Sequence, residues 1–174
     1  DEQFLHNRNS IWCLESFFSD CPSLYTFQHF PNLRELRIIS QDLDSLSGLE
    51  ECPSLERLWV VECEIAEIQY IGELRNLKYL NLSSNAISQI SGLDLLDKLE
   101  VLWLNKNQIS VLEGIQCLTS LQTLWLGSNQ IRTLQGVQFP AAKSLREINL
   151  ADNLLIGFHE IQILTDISSL RVLW

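Results

Sequence analysis

The chain has 174 residues, of which 46% are hydrophobic, and carries a net charge of −10 at pH 7; this composition is typical of one folded domain of ordinary size. The acidity argues against nucleic acid as a partner, because an acidic surface repels phosphate backbones. No apolar run approaches the roughly 20 residues that span a bilayer, so we expect no membrane partner. Residues 1–10 also lack the apolar centre of a signal peptide.

The N-terminal segment carries a spacing that favours a short helix. Its apolar residues follow an i, i+3, i+7 pattern, and they are Ile11, Leu14, Phe17 and Phe18. Ser10 is a suitable N-cap for this helix. Leu24, Phe27 and Phe30 then fall where the return leg of a degenerate repeat would lie. We therefore predict that residues 1–32 form a tail and an N-terminal helical cap with a degenerate first repeat.

The rest of the chain, residues 33–174, is dominated by a leucine that recurs every 22 residues. It occurs at Leu33, Leu55, Leu77, Leu99 and Leu121 and, after longer intervals of 24 and 25 residues, at Leu145 and Leu170. When this leucine is position 1 of each repeat, positions 4, 6, 11, 14 and 17 are apolar as well. Because one such coil buries little by itself, six full repeats and the start of a seventh predict a stacked solenoid with one continuous core.

Each position of the repeat predicts a local structure. Positions 4 and 6 alternate as in a short strand, whereas positions 14, 17 and 20 have the spacing of a helical or 3₁₀ turn. Position 9 favours asparagine, whose amide can both donate to and accept from the backbone where the chain leaves the strand. The asparagines at this position form a predicted structural ladder, which comprises Asn85, Asn107, Asn129 and Asn153.

These features resemble the 22-residue leucine-rich-repeat class, which is typified by the regulatory subunit of protein phosphatase 1. The resemblance covers residues 33–174 and rests on the leucine, asparagine and apolar positions. It implies an α/β fold, a right-handed leucine-rich-repeat solenoid with a parallel β-sheet on the concave face and short helical or 3₁₀ turns on the convex face. It leaves the function open, since many functions use this fold.

The concave face displays the residues that the fold leaves free. Position 5, at the middle of each strand, holds Arg37, Trp59, Asn81, Trp103, Trp125, Asn149 and Trp174. Tyr79, at position 3, could fill the gap beside Asn81, and Glu35 and Arg57 hold position 3 in the first two repeats. Exposed tryptophans favour a protein partner, because tryptophan is the leading hot-spot residue of interfaces. The alternative is that these aromatic residues merely suit strands and stack on one another.

Charge separates the two faces of the predicted solenoid. Positions 2, 3, 5, 7 and 8 of residues 33–174 hold seven basic and six acidic residues, so the concave face is nearly neutral. The acidity therefore lies on the convex face, the loops and the N-terminus. We interpret this acidity as a solubilising surface, and the balanced concave face as one that suits a protein partner.

No group of residues in the sequence predicts catalysis. The three histidines are far apart along the repeats, and we find no metal-ligand spacing, Gly-rich phosphate loop or nucleophile elbow. We therefore predict that the protein is not an enzyme and has no cofactor, no metal site and no small-molecule substrate. The five cysteines have no paired spacing, which favours reduced thiols and a location in the cytoplasm.

Four strings resemble the opening of the leucine-rich repeat-containing protein nine family. They are residues 14–18 (LESFF), 30–33 (FPNL), 58–63 (LWVVEC) and 99–105 (LEVLWLN). Proteins of that family are long arrays associated with cilia and flagella. The resemblance implies the N-terminal array of a ciliary scaffold, bound to axonemal or cytoskeletal proteins and located in the cytoskeleton or the axoneme. The alternative is a regulatory module that binds an enzyme, such as a phosphatase catalytic subunit.

The composition and the last repeat suggest a fragment. The chain contains no methionine and stops one residue after position 4 of the seventh repeat, at Trp174. Since an open end would expose core leucines, we expect further protein to follow and to cover it.

Overall fold

The computed structural model describes residues 8–17, 23–140 and 144–174. These residues form one parallel sheet in which eight strands follow each other in chain order. The strands are β1 (Cys13–Phe17), β2 (Glu35–Ile39), β3 (Arg57–Val61), β4 (Tyr79–Asn81), β5 (Val101–Trp103), β6 (Thr123–Trp125), β7 (Glu147–Asn149) and β8 (Val172–Leu173). Each strand comes from one repeat and pairs with the strand of the next, so the predicted leucine-rich-repeat solenoid is confirmed.

The return legs on the convex face are short. Segments of 3₁₀ helix cover Arg8–Ser10, Leu24–His29, Leu49–Glu51 and Ile163–Asp166, and an α-helix, α1, covers Phe158–Gln162. In the middle repeats the leg is a single turn, closed by a hydrogen bond between positions 20 and 17, as from Leu96 N to Leu93 O (3.0 Å). At six residues or fewer, the helical segments of the described chain fall far short of the roughly 20 residues that cross a bilayer.

The apolar positions build one continuous core between the sheet and the return legs. Position 4 is completely buried in most repeats, as at Leu58 and Leu102, and so is position 6, as at Leu104. The same cluster extends from Leu24 to Ile167. Because a fully buried leucine stabilises the fold by about 1.5–3 kcal/mol, stability comes from the whole stack rather than from any single coil.

The predicted N-terminal helical cap is wrong, because its central residues form strand β1, which pairs in parallel with β2. Phe18, the last residue of the predicted helix, lies outside the described residues. The helical spacing is misleading because Ile11 and Leu14 also fit positions 1 and 4 of a further 22-residue repeat. The edge of β2 favours the strand, since a paired edge satisfies backbone groups such as Glu35 N, which donates to Trp12 O (2.9 Å).

The chain leaves its strands through a left-handed residue at position 8. In six repeats this residue has φ between 54° and 57°, and the six are Ser40, Glu62, Ser84, Lys106, Ser128 and Asp152. A left-handed residue turns the chain sharply out of the strand direction. The backbone groups on either side of the turn then need partners other than a regular strand ladder.

The asparagine at position 9 supplies those partners. Asn107 is 7% exposed. Its Nδ2 donates to Leu104 O (3.1 Å) in the same repeat and to Leu82 O (3.0 Å) in the preceding one, and its Oδ1 accepts from Ile87 N (3.0 Å). The same bonds are made by Asn85, Asn129 and Asn153. Each amide therefore ties two neighbouring repeats together.

The first two repeats of the 22-residue series have other residues at position 9. Gln41 Nε2 donates to Ile39 O (3.2 Å), while Gln41 Oε1 is buried without a partner in the described part of the chain. Cys63 Sγ lies 3.5 Å from Val61 O. A thiol is a weaker donor than an amide, so the ladder stabilises the fold most in the repeats that follow.

One residue on the convex face has a strained backbone. Position 16 has a positive φ in five consecutive repeats, and four of them use Gly48, Gly92, Gly114 and Gly136. The fifth is Tyr70, with φ 65°, where a Cβ makes this conformation unfavourable by about 1–2 kcal/mol. Tyr70 is 48% exposed, so about half of its surface packs against the fold.

We expect Asn107→Ala to lower the free energy of unfolding by about 2–4 kcal/mol, because it leaves backbone groups of two repeats buried without partners. Urea unfolding followed by circular dichroism measures the change. The control is Cys63→Ala, the same position two repeats earlier, for which we expect a loss of about 1 kcal/mol from its weaker donor. Equal losses in the two variants would contradict the role assigned to the ladder.

We expect Tyr70→Gly to be more stable than Tyr70→Ala by about 1 kcal/mol, the reverse of the usual order, because only glycine relieves the left-handed strain. Urea midpoints of the two variants give the difference. The matched control is Gly136→Ala, whose new Cβ would meet no atom of the described residues within 4 Å, so that its loss of stability reports backbone strain. A more stable alanine variant at position 70 would show that Tyr70 is unstrained.

Candidate protein-binding surface on the concave face

The register of the sheet places position 5 of successive strands side by side in one row, which we call the central column. It runs through Glu15, Arg37, Trp59, Asn81, Trp103, Trp125 and Asn149. The neighbours at position 4 are buried in β2–β7, whereas the column residues of those strands are partly exposed. The column therefore faces away from the core. Trp174, one residue beyond β8, is 63% exposed.

At the N-terminal end of the column, Arg37 is held by two carboxylates. Its guanidinium forms ion pairs with Glu15 (2.6 Å) and Glu35 (2.5 Å). The same guanidinium lies over the ring of Trp59, 4.9 Å from the ring centroid. Glu35 is only 6% exposed, and a carboxylate at that depth needs a paired cation. The pairs thus fix a cation against one face of Trp59.

A second row, at position 3, repeats this arrangement. Arg57 lies 5.1 Å from the ring centroid of Tyr79, on the next strand, and 3.8 Å from the carboxylate of Glu35. The sequence suggests that Tyr79 fills the gap beside Asn81, but the Tyr79 ring packs against Arg57 in its own row. Glu35 therefore lies between two guanidinium groups, each of which covers an aromatic ring.

Two stacked tryptophans occupy the middle of the column. The rings of Trp103 and Trp125 have centroids 5.0 Å apart and an interplanar angle of 22°. Trp125 Nε1 donates to Glu147 Oε1 (3.0 Å), and Trp174 Nε1 donates to the same oxygen (3.3 Å). Trp103 Nε1, by contrast, is buried and has no partner within the described residues. The pair forms an aromatic patch whose orientation is fixed by stacking and by Glu147.

The two asparagines of the column direct their amides to the backbone of their own strand exits. Asn81 Oδ1 accepts from Ser83 N (2.9 Å), and Asn149 Oδ1 accepts from Ala151 N (3.0 Å). Neither residue adds a ring or a charge to the column. The aromatic rings of the column are therefore interrupted once at Asn81 and again at Asn149.

The charged residues beside the column also form ion pairs. Lys78 Nζ lies 3.1 Å from the carboxylate of Glu56, and Arg34 approaches the same carboxylate at 3.7 Å. The hydrogen bond from Lys78, together with the charge of the neighbouring cations, lowers the pKa of Glu56 although partial burial opposes the shift. With Glu15 added from β1, the concave positions named above carry seven acidic and seven basic residues, so the face is balanced in charge.

One group of ligating atoms lies at the N-terminal edge of this face. Cys13 Sγ and carboxylate oxygens of Glu15 and Glu35 all lie within 4.8 Å of one another. A metal ion would have to displace Arg37, which already pairs with both carboxylates. Burial, and then the charges of the two carboxylates, raises the pKa of the Cys13 thiol and disfavours the thiolate that a metal requires. We assign no metal or cofactor to this group.

Sequence reasoning names most of the column but misses two residues that organise it. Glu15 escapes because the spacing of its segment favours a helix, although counting back 22 residues from Arg37 places it at position 5. Glu147 is one of the six acidic residues counted on the concave face, and the sequence does not indicate its contact with Trp125. Its contact with Trp125 joins positions 3 and 5 of adjacent strands, and side-chain direction decides whether such a diagonal pair meets.

Comparison with known proteins agrees with this architecture. Residues 53–95 and 97–139 each match the family model described as leucine rich repeats. No curated protein matches the chain in sequence.

Among solved structures, internalin F of Listeria monocytogenes superposes with a TM-score of 0.82 at 19% identity, over 99% of this chain and 50% of that one. Internalin C2 of the same bacterium gives 0.75 at 22% identity, over 98% of this chain and 83% of that one. A leucine-rich-repeat protein of Leptospira interrogans gives 0.72 at 19% identity, over 97% of this chain and 50% of that one. The chain thus spans half the length of two of these proteins, and at such identities the similarity shows the fold alone.

The chain is a leucine-rich-repeat protein. This conclusion rests on the two family matches, the parallel sheet with one strand per repeat, and the solved structures that share the solenoid. Proteins of this kind generally mediate contacts with other proteins, and the comparisons indicate no catalytic family.

Proposed function

We propose that the chain is a non-catalytic scaffold that binds another protein on its concave face, with Trp103 and Trp125 at the centre of the contact. The observation that carries this proposal is the stacked and partly exposed indole pair. Tryptophan is strongly enriched among interface hot spots. Rings that are already oriented lose little freedom when a partner binds, so more of the contact energy contributes to affinity.

The surroundings of the pair suit the rim of an interface. An aromatic centre ringed by charge-balanced polar groups is the usual anatomy of a protein interface. Ion pairs such as those of Arg37 and Arg57 with Glu35 are rigid features that a partner can recognise, and they favour specificity more than affinity. The proposed surface comprises Glu35, Arg37, Arg57, Trp59, Tyr79, Asn81, Trp103, Trp125, Asn149 and Trp174.

For the partner, we propose an axonemal or cytoskeletal protein, with the chain as a structural component of a cilium or flagellum. Support comes from the four strings that resemble the leucine-rich repeat-containing protein nine family. The second candidate is a module that regulates a phosphatase catalytic subunit, which the repeat class supports. The groove of the regulatory subunit that typifies the class is aromatic and acidic, whereas here Arg37 and Arg57 pair with Glu35, and Lys78 pairs with Glu56.

Affinity purification of the full-length protein from ciliated cells separates the two candidates. The ciliary proposal expects axonemal proteins to be recovered with the chain. Recovery of a phosphatase catalytic subunit in near-equal amount, without axonemal proteins, would reject the ciliary proposal and support the regulatory one.

We expect Trp103→Ala and Trp125→Ala each to weaken binding of the recovered partner by about 2 kcal/mol or more, roughly thirtyfold, because each removes half of the stacked pair. Isothermal titration calorimetry with the purified partner measures the change. Phe158→Ala is the surface control, since Phe158 is 79% exposed in α1 on the convex side, and its affinity should not change.

A second control separates binding from folding. Leu104→Ala changes a fully buried neighbour of Trp103 and should lower the free energy of unfolding by about 2–5 kcal/mol. If the two tryptophan variants lose stability as Leu104→Ala does but keep their affinity, the stack serves the fold and the proposed site is wrong.

A further inference from the structure

We propose that the space over Asn81, between the rings of Trp59 and Trp103, is a slot that receives an arginine side chain of the partner protein. This inference rests on the proposed function, because it assigns a chemical specificity to one place on the same concave face. We call this space the Asn81 slot. Its two walls are Trp59 on β3 and Trp103 on β5.

The spacing of the strands gives the slot the thickness of one planar group. Neighbouring strands lie about 4.8 Å apart, and members of the column that touch follow this spacing: Arg37 is 4.9 Å from the centroid of Trp59, and Trp103 is 5.0 Å from Trp125. Trp59 and Trp103 are two strands apart, so their rings are separated by about 10 Å. One flat group midway between them would lie about 5 Å from each ring.

Two residues of β4, Asn81 and Tyr79, could fill the slot from within the chain, but neither places a ring there. Asn81 has a short side chain whose Oδ1 accepts from Ser83 N (2.9 Å) at the strand exit. Tyr79, on the same strand, packs its ring against Arg57 in the row at position 3. Among the described residues of the column, Asn81 therefore has a ring on either side and places neither a ring nor a guanidinium between them.

The chain itself shows which flat group suits these rings. Arg37, on β2, covers the face of Trp59 on β3. In the same way Arg57, on β3, covers the ring of Tyr79 on β4. A guanidinium is planar and positively charged, so it stacks on an indole and is attracted by the negative potential of the ring face. In the Asn81 slot it would contact two indole faces at once, which Arg37 does not.

Charge also favours an arginine. The chain carries −10 overall, so a basic segment is attracted at long range. Close to the slot, Lys78 is paired with Glu56 and Arg57 with Glu35, so these cations oppose an incoming guanidinium less than free ones would. Glu100, the residue directly before β5, accepts from the amide of Gln122 (3.3 Å) and forms no ion pair in the described part of the chain.

The first part of the test is a titration followed by nuclear magnetic resonance of the indole N–H groups. The probes are the blocked peptide Gly-Gly-Arg-Gly-Gly and matched peptides with Phe or Gln in place of Arg. We expect the arginine peptide to shift the Trp59 and Trp103 signals saturably and to bind at least fivefold more tightly than either matched peptide. No saturable shift with the arginine peptide, or equal binding of the phenylalanine peptide, would overturn the inference.

The second part fills the slot from within the chain. Asn81→Arg and Asn81→Trp each place a flat group between Trp59 and Trp103, and both should weaken the arginine peptide at least tenfold. The tryptophan variant shows that the loss is not charge repulsion. The matched control, Gln116→Arg, adds the same charge at an exposed position on a convex return leg and should change the affinity less than twofold. Equal loss in Gln116→Arg would show a general charge effect and overturn the inference.

The outcomes keep the two proposals apart. If the peptides fail to bind while Trp103→Ala still loses the recovered partner, the slot is wrong and the proposed binding face stands. If the arginine peptide binds in the slot while Trp103→Ala and Trp125→Ala leave the partner's affinity unchanged, the slot exists but is not the centre of that partner's interface, and its link to the proposed function is overturned.

Discussion

The solenoid depends on satisfying the backbone at the point where each coil leaves its strand. The left-handed residue at position 8 ends the strand ladder while the chain is still beside the core, and the asparagine at position 9 replaces the lost partners. Asn107 bonds to Leu104 in its own repeat and to Leu82 and Ile87 in the preceding one. These bonds fix the position of one coil relative to the next. The strand register follows, and with it the neighbours on the concave face.

Much of the fold can be predicted from the sequence because one period constrains many residues at once. A leucine or isoleucine recurs at position 4 of every full repeat, which indicates a core position, and all of these residues are buried, as at Leu58, Leu80, Leu102 and Leu124. The N-terminal segment lacks that redundancy. Ile11 and Leu14 fit a helix as well as positions 1 and 4, and Ser16 puts a polar residue at position 6. Pairing with β2 decides between them, and pairing is a long-range interaction that local spacing does not reveal.

For the candidate surface, the sequence predicts which residues lie in the central column but not the contacts between their side chains and those of other rows. Membership of the central column follows from counting residues, so the 22-residue period by itself places Trp103 and Trp125 side by side. Contacts between columns cannot be counted in this way. That Arg37 covers Trp59, or that Trp125 and Trp174 share Glu147, depends on rotamers and on competition among several carboxylates and cations within reach. The sequence therefore predicts which residues lie in the central column better than it predicts the contacts that each of them makes.

The 24-residue repeat that begins at Leu121 keeps the register of the sheet despite its extra length. Two extra residues separate Leu121 from Leu145, yet Trp125 still pairs with Asn149, and Asn153 still accepts from Ile131 N (3.0 Å). The strand register and the asparagine ladder are therefore the same on both sides of this longer repeat. A lineage built on this plan can lengthen or recharge its outer legs and, separately, exchange one side chain at a time in the central column. Each repeat can then change its own contribution to the concave face without shifting the strands of its neighbours.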